Sequence, residues 1–147
     1  LAIIEYLDEI VPQPPLLPRD APGRARVRQI ALAIACDIHP LSNLRVLQYL
    51  RHGLGAEDAA RADWQQHWIS VGFSALEAML ARDAGAGRFC HGDAPTLADV
   101  CLIPQMANAR RIQMDLSPYP TLRRIEGAAY SLPAFNAARP ENQPDAA

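Results

Sequence analysis

Lysine is absent from this chain: all 14 basic residues are arginine. Every cation is therefore a planar fork, suited to gripping carboxylates. Cysteine is scarce. Cys36, Cys90 and Cys101 form no CxxC, and no Cys/His spacing fits zinc, so no metal site is predicted. They read as small core residues of a reduced, cytoplasmic protein. No apolar run approaches the roughly 20 residues of a membrane span, which argues against a transmembrane protein. The acidic N-terminus has no positive leader of the secretory type. Nor is there an excess of charge: 14 basic against 16 acidic residues give a net charge of −2. That excludes a chain-wide basic field for nucleic acid, though not a local basic site. HExxH, P-loop, GxGxxG and GxSxG motifs are missing. No stretch reads as a convincing strand, and there is no internal repeat.

What remains is one domain's worth of helix. The chain has 147 residues, 50% of them hydrophobic, which excludes intrinsic disorder. Leu1 to Ile10 reads as the end of an amphipathic helix, with Ile3, Ile4 and Leu7 on one face and Glu5, Asp8 and Glu9 pointing away. The chain opens at Leu1, without Met and inside a helical pattern, which predicts a piece of a longer protein. Val11 to Pro18 holds Pro12, Pro14, Pro15 and Pro18, and reads as a stiff extended connector between domains. Residues 1–10 are thus expected to belong to a different domain from residues 19–147.

Asp20 can cap the next helix, with Pro22 in its first turn. Ile30, Ile34, Ile38 and Leu41 form its apolar stripe, continued by Leu44, Leu47 and Leu50, with a bend expected at Pro40. A further helix fits Glu57 to about Asp83, with Trp64, Trp68, Val71, Ala75, Leu76, Met79 and Leu80 as its stripe. Thr96 to Asp99 is a capping-box pattern opening a buried helix that contains Pro104. A last helix runs from about Tyr119 to Tyr130, and the tail from Pro133 is expected to be mostly irregular. The predicted fold is all-α, with about five helices around one core.

The most unusual segment is Cys36 to Leu50, where Asp37, His39, Ser42, Asn43 and Arg45 interrupt an apolar helix. Two readings stand: a solvated face with a satisfied core histidine, or a polar strip lining a ligand cleft. Arg110 and Arg111 end an apolar helix about 100° apart, so only one of them can face a given site. His52, His67 and His91 have no partner spacing. Residue chemistry alone stops at a helical domain with a candidate anion-binding strip.

The strings IACDIHPLSNLRVLQYL, HWISVGFSALEAML, FCHGDAPTLADVCLIPQMANARRIQMDL and PENQPD closely resemble zeta-class glutathione transferases, of the maleylpyruvate and maleylacetoacetate isomerase type. The resemblance covers essentially the whole chain. It implies a glutathione transferase C-terminal helical bundle, preceded by the last helix of a missing thioredoxin-like domain. That domain would carry the thiol-activating Ser-Ser-Cys motif, so no catalytic residue is expected in this chain and the fragment alone is expected to be inactive and prone to self-association. The resemblance implies glutathione as cofactor, contacted by His39, Asn43, Leu44 and Arg45. It implies that Arg111 binds the substrate carboxylate, with Arg45 a second cation, while Arg110 is expected to be exposed. The implied activity is glutathione-dependent cis–trans isomerisation of a maleyl keto acid in aromatic or tyrosine catabolism. The implied partners are glutathione and a small dicarboxylic keto acid, with a homodimer at full length and neither nucleic acid nor membrane. The alternatives are a related transferase or dehalogenase acting on small α-halo acids, and a non-catalytic helical interaction module.

Overall fold

In the computed structural model, residues 1–146 are described. The chain order is α1 (Ala2–Ile10), α2 (Ala21–Leu32), a π-helical turn (Ala33–Ile38), a 3-10 turn (His39–Ser42), α3 (Leu44–His52), α4 (Asp58–Ala81), α5 (Leu97–Arg111), α6 (Pro120–Tyr130), the short α7 (Pro133–Ala137) and a last 3-10 turn (Pro140–Asn142). Among the described residues β-structure is limited to one isolated bridge, Ala86 to Gly92. The all-α expectation holds. The tail is more ordered than its proline content suggested, because Pro133 and Pro140 occupy first turns, where a missing N–H costs nothing.

α5 is the central element. Leu97, Ala98, Leu102, Met106 and Ala109 are fully buried, and Pro104 sits inside the helix as expected. The capping box closes: the Thr96 amide donates to Asp99 Oδ2 at 2.8 Å and its hydroxyl to the same oxygen at 2.9 Å. Asp99 Oδ1 also accepts from the Cys90 amide at 2.9 Å. That bond ties the loop before α5 to its first turn.

Against α5 pack α2 (Val27, Ile30, Ala31), the π turn (Ile34, Ile38) and α6, while α4 packs on α6, on α3 and on the two turns after α2. The buried stripe of α4 is Ile69, Phe73, Leu76 and Leu80. This corrects the predicted stripe, for Val71 and Ala75 are exposed. Both versions obey helical spacing, and the packing of α6 and the π turn selects between them. α6 is docked by a carboxylate. Glu77 of α4 accepts from the Thr121 amide at 2.9 Å and the Leu122 amide at 3.0 Å. A negative charge there satisfies first-turn donors and complements the helix dipole.

α1 meets the expectation only in part: Ile4 packs inward and Glu9 outward as predicted, but its other faces are rotated. Leu1 and Ile4 pack on the core, Glu5 pairs with Arg28 at 2.7 Å, and Asp8 accepts from the Leu16 amide at 2.7 Å. Ile3 and Leu7 face outward, 75% and 49% exposed. The connector is pinned as well, with Leu16 O accepting from the Leu97 amide at 2.9 Å. The segment Ala21–His52 passes a length and composition test for a membrane span. Its continuity is broken at Asn43, and its apolar face packs on α5 and α4.

Cys90 is buried, Cys101 half-buried and Cys36 exposed, so the expectation of core thiols fails for Cys36. Burial and the neighbouring Asp99 carboxylate push the Cys90 thiol far above the usual range. Both disfavour the thiolate.

Candidate functional site

The predicted long helix through Pro40 does not run straight. The six-residue π turn Ala33–Ile38 widens the coil, and the His39 amide donates to Ile34 O. Wide turns of this type re-aim the residues that follow. A 3-10 turn follows with Pro40 in its first turn, and Asn43 then adopts an extended backbone (φ −67, ψ 147). Asn43 restarts the helix as its own N-cap: its Oδ1 accepts from the Arg45 amide at 3.2 Å. The result is a short bulged loop, Ile38 to Asn43, projecting between α2 and α3.

Two contacts fix this loop against α4. Trp64 Nε1 donates to Leu41 O at 2.7 Å. Gly72 lies so close to Ile38 that a Cβ there would come within 2.3 Å of its side chain. The helix periodicity of Trp64 is therefore structural, as the sequence suggested. Its ring stacks edge-on against Trp68 with centroids 5.7 Å apart.

Held in this way, the loop faces the C-terminal end of α5 across a cleft of about 230 Å³. His39, Asn43 and Leu44 line one side and Arg111 the other, although they are some seventy residues apart in sequence. Arg45, the remaining predicted site residue, is not among the lining residues and is exposed on the first turn of α3. Asp37 is exposed and also absent from the lining.

Four further residues line the cleft: Ser42, which belonged to the predicted polar strip, and Gln65, Ile69 and Asn108, which had not been assigned to it. The Ser42 hydroxyl is buried and has no hydrogen-bond partner among the described residues. An orphaned buried hydroxyl costs about 1–3 kcal/mol, which a ligand oxygen or amide would relieve. Asn108 was within reach of sequence reasoning, since it precedes Arg111 by three and shares its helix face. Gln65 carried no such signal.

The two adjacent arginines divide as their 100° separation requires. Arg110 is 53% exposed but not idle: it forks onto the buried Glu126, with Nε to Oε1 at 3.0 Å. This pair holds the Arg110 guanidinium still more firmly charged. Arg111 forms no ion pair among the described residues. It also borders a larger groove of about 800 Å³, whose lining includes Val100, Ile103 and Phe135. An unpaired arginine between a polar cleft and an apolar groove is suited to a small acid with a carbon body. Among the described residues, no group of His, Cys, Asp or Glu could hold a metal ion.

No protein-family model matches the chain. Maleylpyruvate isomerase of Ralstonia sp. is 53% identical over 146 residues, covering 99% of this chain and 69% of the relative. Probable maleylacetoacetate isomerase of Vibrio cholerae is 51% identical, covering 99% of this chain and 67% of the relative. Among solved structures, a holo maleylpyruvate isomerase described as a bacterial zeta-class glutathione transferase superposes with a TM-score of 0.96 at 53% identity, covering 99% of this chain and 69% of that one. Maleylacetoacetate isomerase of Anaeromyxobacter dehalogenans, with glutathione bound in its active site, gives 0.91 at 48% identity, covering 99% of this chain and 65% of that one.

Proposed function

Because the chain belongs to the zeta-class glutathione transferase family of maleylpyruvate and maleylacetoacetate isomerases, we propose that it forms the substrate-binding helical part of a glutathione-dependent cis–trans isomerase. The substrate is a maleyl keto acid and the product its fumaryl isomer. The observation that carries this reading is the convergence of His39, Asn43, Leu44 and Arg111 on one cleft.

The cleft fits part of a polar, carboxylate-bearing tripeptide. It offers the orphaned Ser42 hydroxyl, the Asn43, Gln65 and Asn108 amides and the His39 ring. Asn43 uses its Oδ1 as a helix cap, which leaves its NH2 end for a second partner. His39, Asn43 and Leu44 would hold glutathione. When bound, glutathione supplies a thiolate that adds reversibly to the cis double bond, turning it into a single bond free to rotate. Arg111 fixes one carboxylate while the rest of the substrate swings, and its charge also steadies negative charge developing on the adjacent carbonyl. Arg45, outside the cleft, adds only a long-range positive potential. Nothing in this chain activates the thiol, so the reading includes a thioredoxin-like domain ahead of α1 that does. The three free thiols agree with a reducing compartment, and we assign the protein to the cytoplasm. Exposed Leu32 and Val71 offer apolar surface for a second copy, in keeping with a homodimer. Aromatic catabolism is the setting in which such an acid arises.

The test is a substrate panel on the protein with its thioredoxin-like domain present. Glutathione-dependent loss of maleylpyruvate or maleylacetoacetate, with little action on α-halo acids, is expected. Turnover of the halo acids alone would replace this reading with dehalogenation.

A further inference from the structure

The exposed side of α6 carries a second hollow, of about 490 Å³, which shares no lining residue with the His39–Arg111 cleft. Four arginines meet there: Arg123 and Arg124 from α6, Arg110 from α5 and Arg139 from the tail. In a chain of net charge −2 this is a local concentration of positive charge. Bringing like charges together is unfavourable unless a counter-charge joins them.

The chain's own acids balance only two of them, Arg110 through Glu126 and Arg139 through Glu141. Glu126 is the one carboxylate lining the hollow, and it is committed to Arg110. Glu141 stands 3.5 Å from Arg139, with its side chain 64% exposed. The Arg139 guanidinium carbon sits over the Tyr130 ring, 3.8 Å from its centroid, and its Nε is buried without a partner among the described residues. Arg124 spends one nitrogen on Gly87 O at 2.8 Å. Arg123 forms no ion pair among the described residues.

Gly127 is a second, independent observation. It lies inside α6 with an ordinary helical backbone, and a Cβ added there would meet nothing within 4 Å. Neither packing nor backbone conformation requires glycine here. It costs about 1 kcal/mol relative to alanine at a helix-interior position. Its effect is to leave the hollow's lining bare beside Arg123 and Arg124, one turn away on the same face.

We propose that this hollow binds a compact multivalent anion of the phosphate-ester or pyrophosphate class. The two guanidiniums outside these ion pairs, Arg123 and Arg124, together with the unpartnered Arg139 Nε, offer more donors than the two oxygens of one carboxylate can engage. A phosphoryl group offers three terminal oxygens, each a strong acceptor for a planar fork. The hollow adjoins the larger groove beside Arg111 through Arg110, Tyr130 and Arg139, but its assignment does not rest on the isomerase reading.

The protein carrying its thioredoxin-like domain is titrated calorimetrically with inorganic pyrophosphate at constant ionic strength, alongside sulfate. Saturable binding of pyrophosphate, at least about tenfold tighter than sulfate, is expected. Arg123→Ser/Arg124→Ser should weaken it by about tenfold or more, since charge-assisted bonds are lost. Gly127→Gln should fill the hollow and remove binding while leaving the thermal midpoint without ligand equal or higher. Arg82→Gln, an exposed arginine elsewhere, controls for net charge and should leave binding unchanged. Equal response to sulfate, or equal binding by both hollow variants, would overturn the proposal.

Discussion

Arg111 and Arg45 carry the same charge within one site's neighbourhood, and their surroundings make them unequal. Both are exposed in the free chain, but Arg111 lines the cleft, where a ligand would cover it, whereas Arg45 lies outside it on the turn that Asn43 caps. A charged contact that is desolvated on binding is worth about 2–5 kcal/mol, and an exposed one about 0–1. The cysteines are similarly unequal. Cys36 is exposed, whereas Cys90 is buried with its thiol pushed up by desolvation and by Asp99. Thiol reagents should modify Cys36 in the folded protein and Cys90 only after denaturation, as peptide mass mapping would show. Labelling of Cys90 under native conditions would refute its burial. Sequence reasoning placed all three thiols in the core because residue type alone sets that prior. It cannot see that the π turn rotates Cys36 to the surface.

At the scale of the element, the decisive feature is the bulged loop from Ile38 to Asn43. Proline at position 40 announced a break, and the polar residues around it announced a site. The kind of break was not legible. A π turn arises from packing, here of Ile38 against α4, and has no sequence motif of its own. Gly72→Ala therefore tests the element. Its methyl would overlap Ile38, which is 1% exposed and has little room to move. Overpacking of this kind costs about 1–3 kcal/mol, readable as a lower urea midpoint. The same variant should lose glutathione affinity in the complete protein, because the loop shifts with Ile38. An unchanged midpoint would show that the contact is slack. The α4 stripe and the orientation of α1 were misread for a related reason. Amphipathic spacing fixes a face only when one face is plainly polar. In α1 the acidic residues Glu5 and Asp8 find partners on the packed side, Arg28 and the Leu16 amide.

Over the whole molecule, caps, turns and overall helix content were legible because they depend on local chemistry: Asp20, Thr96–Asp99, the glycines and the prolines. The cleft was legible only in part. His39, Ser42 and Asn43 stood out as a polar strip in an apolar helix, Leu44 and Arg111 came from the family resemblance, and Gln65 and Asn108 needed the fold. Stability against acid is also a whole-molecule property. Glu5, Asp20, Asp58, Asp83 and Asp115 are all held below their usual carboxylate values, Glu5 chiefly by the Arg28 hydrogen bond, and Asp20 and Asp83 chiefly by backbone amides. Carboxyls depressed in the folded state contribute stability that is complete above their unfolded values, 3.8 for Asp and 4.5 for Glu, and is lost as pH falls through the lower folded values. Unfolding midpoints should thus fall below about pH 4. Asp83→Asn should lower stability at neutral pH and flatten part of that drop. Parallel pH profiles for the two proteins would contradict the linkage.

The most direct test of the central claim compares Arg111→Gln with Arg45→Gln in the protein carrying its thioredoxin-like domain. Glutathione-dependent isomerisation of maleylpyruvate or maleylacetoacetate is followed by loss of the cis keto acid. Arg111→Gln should lower kcat/KM by about a hundredfold, the scale of a desolvated charged contact, and Arg45→Gln by less than about fivefold. Equal losses in the two variants, or an unaffected Arg111→Gln enzyme, would contradict the assignment of the cleft as the substrate site.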